Sequence, residues 1–322
     1  MQSESNLLIS NSYNSCAARA ICAKHGSKIG DPDVPNDSKD AEKFDYGTAF
    51  SRNIGWITET EQQVLRQSRV AIAGLGGVGG AHLAGLSRLG IGAFNISDPD
   101  IFEIVNFNRQ LGATMSQIGQ PKVDVIAKMA LDVNPEVDLN LFPKGIGEHN
   151  VNEFLRDVDL YLDGLDFFVM NARETVFAAC AEKGIPALTA APLGWGTALI
   201  VFVPGGMSFE DYFQMAGQPH EEKLMRFLAG LSPTGMELEH IVDPTRLNIP
   251  EERGPSTPIG AFLSAAVACT SVVKLLLRRG EVLAAPWSLH FDAFTGRSEW
   301  VERPGGMGHL EMQARLAAMR KA

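Results

Sequence analysis

Apolar residues in this chain fall into short runs separated by segments of helical periodicity. Val70 to Ala73 is an unbroken apolar run, the pattern of a strand buried on both faces. Ala81 to Leu89 places its apolar positions at helical spacing, and Ala93 to Ser97 reads as a second strand. The alternation continues downstream. Val151 to Leu155 and Asn171 to Lys183 read as helices, Asp159 to Asp163 as a third buried strand, and Ile185 to Thr189 as the next. Trp195 to Val203 alternates and is stopped by Pro204-Gly205-Gly206. Near the start, Thr58 and Glu61 form a capping box that opens a helix ending at Gln67. Ile259 to Arg278 predicts a long apolar helix, and Trp287 to Trp300 a hairpin turning at Thr295-Gly296. Strands alternating with helices in this way predict an α/β fold. It is a doubly wound, mostly parallel Rossmann-like sheet with helices on both faces, plus a long crossover excursion and a C-terminal hairpin.

Texture divides the chain further. Residues 1–45 are polar and include a DPDVPNDSKD run that cannot build a core. They predict a polar, disordered arm, in which Cys16 to His25 has the spacing of a short helix and which could instead brace a dimer. Residues 46–303 form the α/β domain, and residues 304–322 a charged helical or frayed tail. Within the domain, 205–258 is the excursion, a surface segment with a helix around His220 to Leu231. It carries nine acidic residues against four basic ones, a balance suited to a basic partner surface.

Composition narrows the function classes. A formal net charge of −10 argues against a general nucleic-acid or anionic-membrane binder. The chain has four cysteines (Cys16, Cys22, Cys180 and Cys269) and no C-x-x-C pair, which argues against a disulfide scaffold and a structural zinc site. The longest apolar stretches are broken by Pro and Gly or by polar residues, so they read as buried strands and a buried helix. A cytoplasmic location is the expectation.

The candidate chemistry starts at Gly74-Leu75-Gly76-Gly77-Val78-Gly79, between the first strand and its helix. Glycines let the backbone turn tightly and approach a phosphate, and a helix N-terminus presents free N–H groups to it. Asp98 ends the next strand, about 20 residues beyond Gly79, where a carboxylate can accept from ribose hydroxyls. These features indicate a nucleotide. Asn106, Asn108 and Arg109 follow just past that strand's C-terminal end, where open α/β sheets bind ligands. Lys122 stands in the first turn of a helix opened by Pro121 at N1; a cation gains nothing there from the helix dipole, so a nearby anion would explain it. Arg52 precedes the capped helix in a segment with no helical reason to hold an Arg. Asp166 follows the strand ending at Asp163.

Taken together, GLGGVGG, SDPD, VNFNRQ, GQPK and LDGLD, in this order and spacing, resemble the adenylation core of the ubiquitin-activating-enzyme superfamily, of bacterial ThiF/MoeB/HesA type. The resemblance spans roughly Phe50 to Leu277. It implies that Gly74, Gly76, Gly77, Gly79, Asp98 and Asp100 bind the nucleotide, with Asp98 on the ribose, and that Asn106, Arg109 and Lys122 contact the ATP phosphates. It also implies that Asp166 holds Mg²⁺ as a catalytic residue, and that Arg52 reaches the phosphates across a homodimer interface. Phe167 stands where an Asn commonly follows that Asp.

The implied reaction is attack of a carboxylate on the α-phosphorus of ATP, giving an acyl adenylate and pyrophosphate. The carboxylate is already ionised, so the task is electrostatic, and Arg52, Arg109, Lys122 and Mg²⁺ at Asp166 answer it with positioned positive charge. The excursion contains no cysteine, and Cys180 and Cys269 fall in helices where a thiol is an inert small hydrophobe, so no thioester transfer to the enzyme is expected. The carboxylate implied is the C-terminus of a small ubiquitin-like or sulfur-carrier protein or peptide. A small molecule or a modified-tRNA carboxylate is the alternative. A nicotinamide-dependent oxidoreductase rests only on G-x-G-x-x-G and Asp98, and a non-catalytic partner subunit leaves the retained charged residues without a purpose. His220 and His240 are candidates to gate a substrate channel.

Overall fold

Eight strands line up in the order β3-β2-β1-β4-β5-β6-β7-β8 in the computed structural model, which describes residues 43–248, 251 and 253–320. They are β1 Arg69–Ala73, β2 Ala93–Ser97, β3 Asp138–Phe142, β4 Leu160–Asp163, β5 Ala187–Leu193, β6 Gly196–Phe202, β7 Trp287–Asp292 and β8 Arg297–Glu302. The pairings from β3 to β5 are parallel and those from β5 to β8 antiparallel. Apart from Lys43 to Asp45, the N-terminal arm and its Cys16 to His25 helix lie outside the described residues. The residues from Phe44 onward form one unit.

The two-residue period of β1 decides what each face packs. Val70 and Ile72 join one core cluster, and Ala71 and Ala73 the other. The first face is covered by α2 (Glu59–Gln67), α3 (Gly77–Arg88), α4 (Lys122–Val133) and α9 (Pro258–Leu277). The second is covered by α5 (Val151–Phe154), α6 (Met170–Lys183), α7 (Phe209–Phe213), α8 (His220–Leu231) and α10 (Leu310–Met319). A short α1 (Tyr46–Ala49), capped by Asp45, precedes them. The capping box at α2 is present as expected, with Thr58 Oγ1 accepting from Glu61 N at 3.1 Å and Glu61 Oε2 from Thr58 N at 2.7 Å.

The helix α9 is long and apolar enough to cross a membrane, yet it lies along α3, β5 and β6 with Ala265, Ala268 and Val272 buried. Its approach to α3 is close. A Cβ on Gly85 would sit 3.2 Å from Cys269 Sγ. Beside this crossing His82 is completely buried, and desolvation lowers its pKa to about 3.

Four departures from the sequence reading have simple causes. The strand Asp138–Phe142 was not anticipated, so Asp159 to Asp163 supplies the fourth strand instead of the third. As an edge strand β3 buries no residue fully and its Asp138 and Asn140 are exposed, so it lacks an apolar run. Pro121 is the N-cap of α4, one position earlier than N1, which makes Lys122 the first helical residue. The excursion is only partly a surface segment. Phe209, Tyr212, Phe213, Leu224 and Phe227 are buried, and Phe177 stacks on Phe209 at 4.4 Å. Finally, residues Leu310–Met319 dock Met312 and Leu316 into the core beside α8, and Arg320 pairs with Glu222 at 2.5 Å.

The acids of the excursion are also largely engaged within the chain. Glu222 pairs with Arg226 and Arg320, Glu239 with Arg297, Asp243 with Arg246 and Glu251 with Arg253. Glu210 accepts from two backbone N–H groups, Asp211 caps α7, and Glu237 is buried. The expected acidic face for a basic partner is therefore mostly neutralised internally.

Candidate nucleotide-binding site

Strand order reverses between β1 and its neighbours β2 and β4, so a crevice opens at their C-terminal ends. The glycine turn lines it. Gly74 has a φ of +82°, and a Cβ there would lie 2.2 Å from Gly164 O. A Cβ on Gly79 would lie 1.8 Å from Gly74 O. Both positions admit only hydrogen. At the head of α3, the N-cap Gly76 offers no side chain, so the first N–H groups of the helix have no side-chain cap. An uncapped helix N-terminus facing a crevice is suited to a phosphate.

Residues from the following loop crowd this point. The stem of Arg109 lies against Gly77, where a Cβ would be 3.3 Å from Arg109 Cγ. Arg109 Nη1 donates to Val105 O at 3.2 Å and Asn108 Oδ1 at 3.0 Å. Gln110 is buried beside Gly76, with its Oε1 unpaired. Asn106 is buried, and its Oδ1 accepts from Glu103 N at 3.0 Å, which shapes the turn that presents Arg109.

The two aspartates after β2 have different surroundings. Asp98 is buried; its Oδ2 accepts from Leu75 N at 2.7 Å and its Oδ1 from Asp100 N at 2.8 Å. Burial raises its pKa, against the pull of the Leu75 hydrogen bond and of Lys122. Both oxygens hold backbone, so Asp98 staples the glycine turn to the end of β2. Asp100, by contrast, is exposed and pairs with Lys122 Nζ at 2.9 Å. The Lys122 side chain is only 8% exposed. A buried ammonium sharing one exposed carboxylate can take a second anion at little further desolvation cost.

Beyond β4, the loop Gly164 to Val169 packs on the glycine turn and carries Asp166. Asp166 is exposed; its Oδ1 accepts from Phe168 N at 3.1 Å, and its other oxygen has no hydrogen-bond partner among the described residues. Among the described residues no group of three His, Cys, Asp or Glu side chains gathers as a metal cage. A lone carboxylate still suits Mg²⁺, which normally binds through one or two carboxylates, waters and substrate phosphates. Phe167, at the position of the expected Asn, packs on Phe227 of α8 at 5.6 Å between ring centres. Two residues here were not singled out from the sequence. Asp163, the last residue of β4, is buried with Arg173 of α6, whose Nε donates to it at 2.8 Å. An Arg in the first turn of a helix looks like a surface residue until the fold turns it inward.

Arg52 stands apart. It lies in the turn Ser51–Asn53, and its neighbour Asn53 bonds Leu89 O at the far end of α3. The 12 residues of α3 put that end roughly 18 Å from the glycine turn of the same chain. His290 lies in β7, and His240 sits against the β7–β8 hairpin. His290 Nδ1 is 2.9 Å from Thr234 Oγ1, its Nε2 is 3.5 Å from Glu237, and burial lowers its pKa against the pull of Glu237 and Asp292. His240 lies 3.9 Å from Asp292 and packs on Phe294. These contacts hold the 232–240 segment on the hairpin. The two described thiols are buried, and burial pushes Cys180 above the ordinary range and Cys269 up to about 12, so neither is a thiolate near neutral pH.

A doubly wound sheet with a glycine turn, an uncapped helix and a buried lysine at its switch point defines a nucleotide-binding domain built to receive phosphate. Solved structures similar to it agree on the architecture. PaaA covers 82% of this chain and 77% of its own at a TM-score of 0.59 and 18% identity. MccB of Escherichia coli, with succinimide, covers 75% and 66% at 0.58 and 18%. At such identities these likenesses establish the fold alone. The chain belongs to the ThiF family, whose profile matches residues 50–305. It is 34% identical over 146 residues to the tRNA threonylcarbamoyladenosine dehydratase of Bacillus subtilis, 44% of this chain and 55% of that protein. It is 31% identical over 143 residues to the sulfur carrier protein ThiS adenylyltransferase of Escherichia coli, 44% of this chain and 56% of that protein. The chain thus spans about half the length of these curated relatives.

Proposed function

We propose that the protein is an ATP-dependent adenylyltransferase. The observation that carries this reading is the convergence of the uncapped α3 N-terminus, Arg109 packed on Gly77, and the Lys122–Asp100 pair at one crevice. In the reaction a carboxylate oxygen attacks the α-phosphorus, the bond from that phosphorus to the bridging oxygen breaks, and pyrophosphate leaves with the electron pair. Asn106, Arg109, Lys122 and the N–H groups at Gly76 and Gly77 hold the phosphates and stabilise the growing charge. Asp98 and Asp100 receive the ribose; Asp98 accepts one backbone N–H on each oxygen, and so also staples the turn, and keeps a second lone pair on each. Asp166 holds Mg²⁺, which when bound offsets charge on the pyrophosphate. Arg52 is too far from its own glycine turn and serves a second protomer, which makes a homodimer the working assembly.

The acyl group is the C-terminal carboxylate of a small ubiquitin-like or sulfur-carrier protein or peptide, and it leaves the adenylate without passing through Cys180 or Cys269. The similarity to an adenylyltransferase of a sulfur carrier protein supports this choice. The similarity to a tRNA-modifying dehydratase supports the alternative of a modified-tRNA carboxylate. Substrate-dependent ATP–pyrophosphate exchange decides between them. The expected result is exchange supported by the protein fraction of a cell extract, resistant to ribonuclease and lost in Asp166→Ala and Arg109→Ala. Exchange that ribonuclease abolishes would move the substrate to tRNA, and exchange with the small-molecule fraction alone would move it to a metabolite. No exchange together with no Mg·ATP binding would overturn adenylation.

A further inference from the structure

We propose that Arg173 is a positioning residue: it holds the loop carrying Asp166 in register with the glycine turn and ties that loop to helix α8 of the excursion. The proposal rests on the adenylation reading for its consequence, though not for its geometry.

The guanidinium is fully buried, and all five of its N–H donors are used. Nε donates to Asp163 Oδ2 at 2.8 Å. Nη2 donates to Leu165 O at 2.7 Å and Asp166 O at 3.0 Å. Nη1 donates to Phe167 O at 3.3 Å and Val169 O at 3.4 Å. Four carbonyls of one short loop thus converge on a single side chain. Asp163 is correspondingly satisfied, accepting also from Thr189 Oγ1 at 2.9 Å and Leu165 N at 3.2 Å. The loop abuts the site directly, since Gly164 leaves no room for a Cβ on Gly74. Where Asp166 stands relative to the phosphates therefore follows from where Arg173 stands.

The second half of the proposal comes from α8. The Arg173 guanidinium lies 4.4 Å from the centre of the Phe227 ring, and Phe227 packs on Phe167 of the loop. Lys223, one turn earlier on α8, pairs with Glu174 at 2.7 Å. An element of the excursion thereby grips the side chain that orders the nucleotide loop. A displacement of α8 when the acyl substrate arrives would be felt at Asp166 through this one cation.

A buried ion pair that only stabilised the core would behave differently, and a compensated double substitution separates the two roles. Arg173→Met alone leaves Asp163 buried and unpaired, so a loss of stability is expected under either view. Asp163→Asn with Arg173→Met removes both charges and restores the thermal midpoint, but leaves the loop carbonyls without their clamp. The readouts are hydrogen exchange of the 164–169 amides in the free protein and calorimetric affinity for Mg·ATP. In the double variant these amides are expected to exchange on the order of tenfold faster while β1 stays protected, with the Mg·ATP Kd rising by a similar factor. Phe227→Ala, which keeps the ion pair, is expected to produce a smaller change of the same sign in both readouts. Arg173→Lys, with three donors for five acceptors, falls between. Wild-type exchange in the loop of a folded double variant would overturn the proposal, as would wild-type affinity. If the wild-type protein binds no Mg·ATP, the adenylation reading fails, and the exchange comparison still decides whether Arg173 orders the loop.

Discussion

His82 is expected to make a large contribution to the acid sensitivity of this fold. The side chain lies in α3, completely buried near the crossing with α9, and its pKa is lowered to about 3 from an ordinary 6.5 by desolvation. The unfolded chain therefore binds a proton on this ring that the folded chain refuses. A depressed pKa contributes stability that is fully present above the unfolded value and is lost as pH falls from there toward the folded value. At pH 5.0 the unfolded ring is protonated and the folded ring neutral, and 1.5 units at 1.36 kcal/mol each gives about 2 kcal/mol of lost stability. That is a substantial part of the 5–15 kcal/mol typical of a domain. The perturbation is His82→Leu, which keeps an apolar side chain of similar reach and removes the titration. Urea denaturation at pH 7.5 and pH 5.0 on both proteins gives four stabilities, and only the difference of differences matters. His290 and the carboxylates are common to both proteins and cancel. The wild type is expected to lose about 2 kcal/mol more than the variant between the two pH values. Equal losses, within about 0.5 kcal/mol, would refute the claim that this ring stays neutral in the fold.

Three further outcomes test the site. Asp100→Ala is expected to weaken ATP binding with little change in thermal midpoint, whereas Asp98→Ala loses about 2 kcal/mol or more of stability because two backbone N–H groups go unpaired, as thermal unfolding and calorimetric titration would show. Gly79→Ala drives a methyl into the Gly74 carbonyl, so ATP affinity and folding yield should fall together in a binding assay on purified protein. Mixing inactive Arg52→Ala and Asp166→Ala proteins should restore about a quarter of wild-type pyrophosphate exchange, because half of the dimers are mixed and each mixed dimer has one intact site; no recovery after subunit exchange would place Arg52 outside the site.

Much of this architecture was legible in one dimension because it depends on local periodicity. The run Val70 to Ala73, the glycine turn and the strand Ala93 to Ser97 stand within a residue of where the pattern puts them, since a parallel strand buried on both faces must be apolar throughout. The Thr58–Glu61 capping box and the helix His220–Leu231 were equally readable. The edge strand β3 was not, because its exposed residues carry no such demand. Tertiary packing alone assigned the polar residues. Asp98 and Asp100 are chemically identical and two positions apart, yet one is enclosed by backbone donors and the other faces Lys122. Arg52 and Arg173 are both arginines in or beside helices, and one is exposed at the far end of α3 while the other is sealed against Asp163. Hydrophobic order along the chain determines which elements exist and which faces they bury. Which carboxylate meets which cation depends on how those elements converge at the switch point, and that convergence has no period in the sequence.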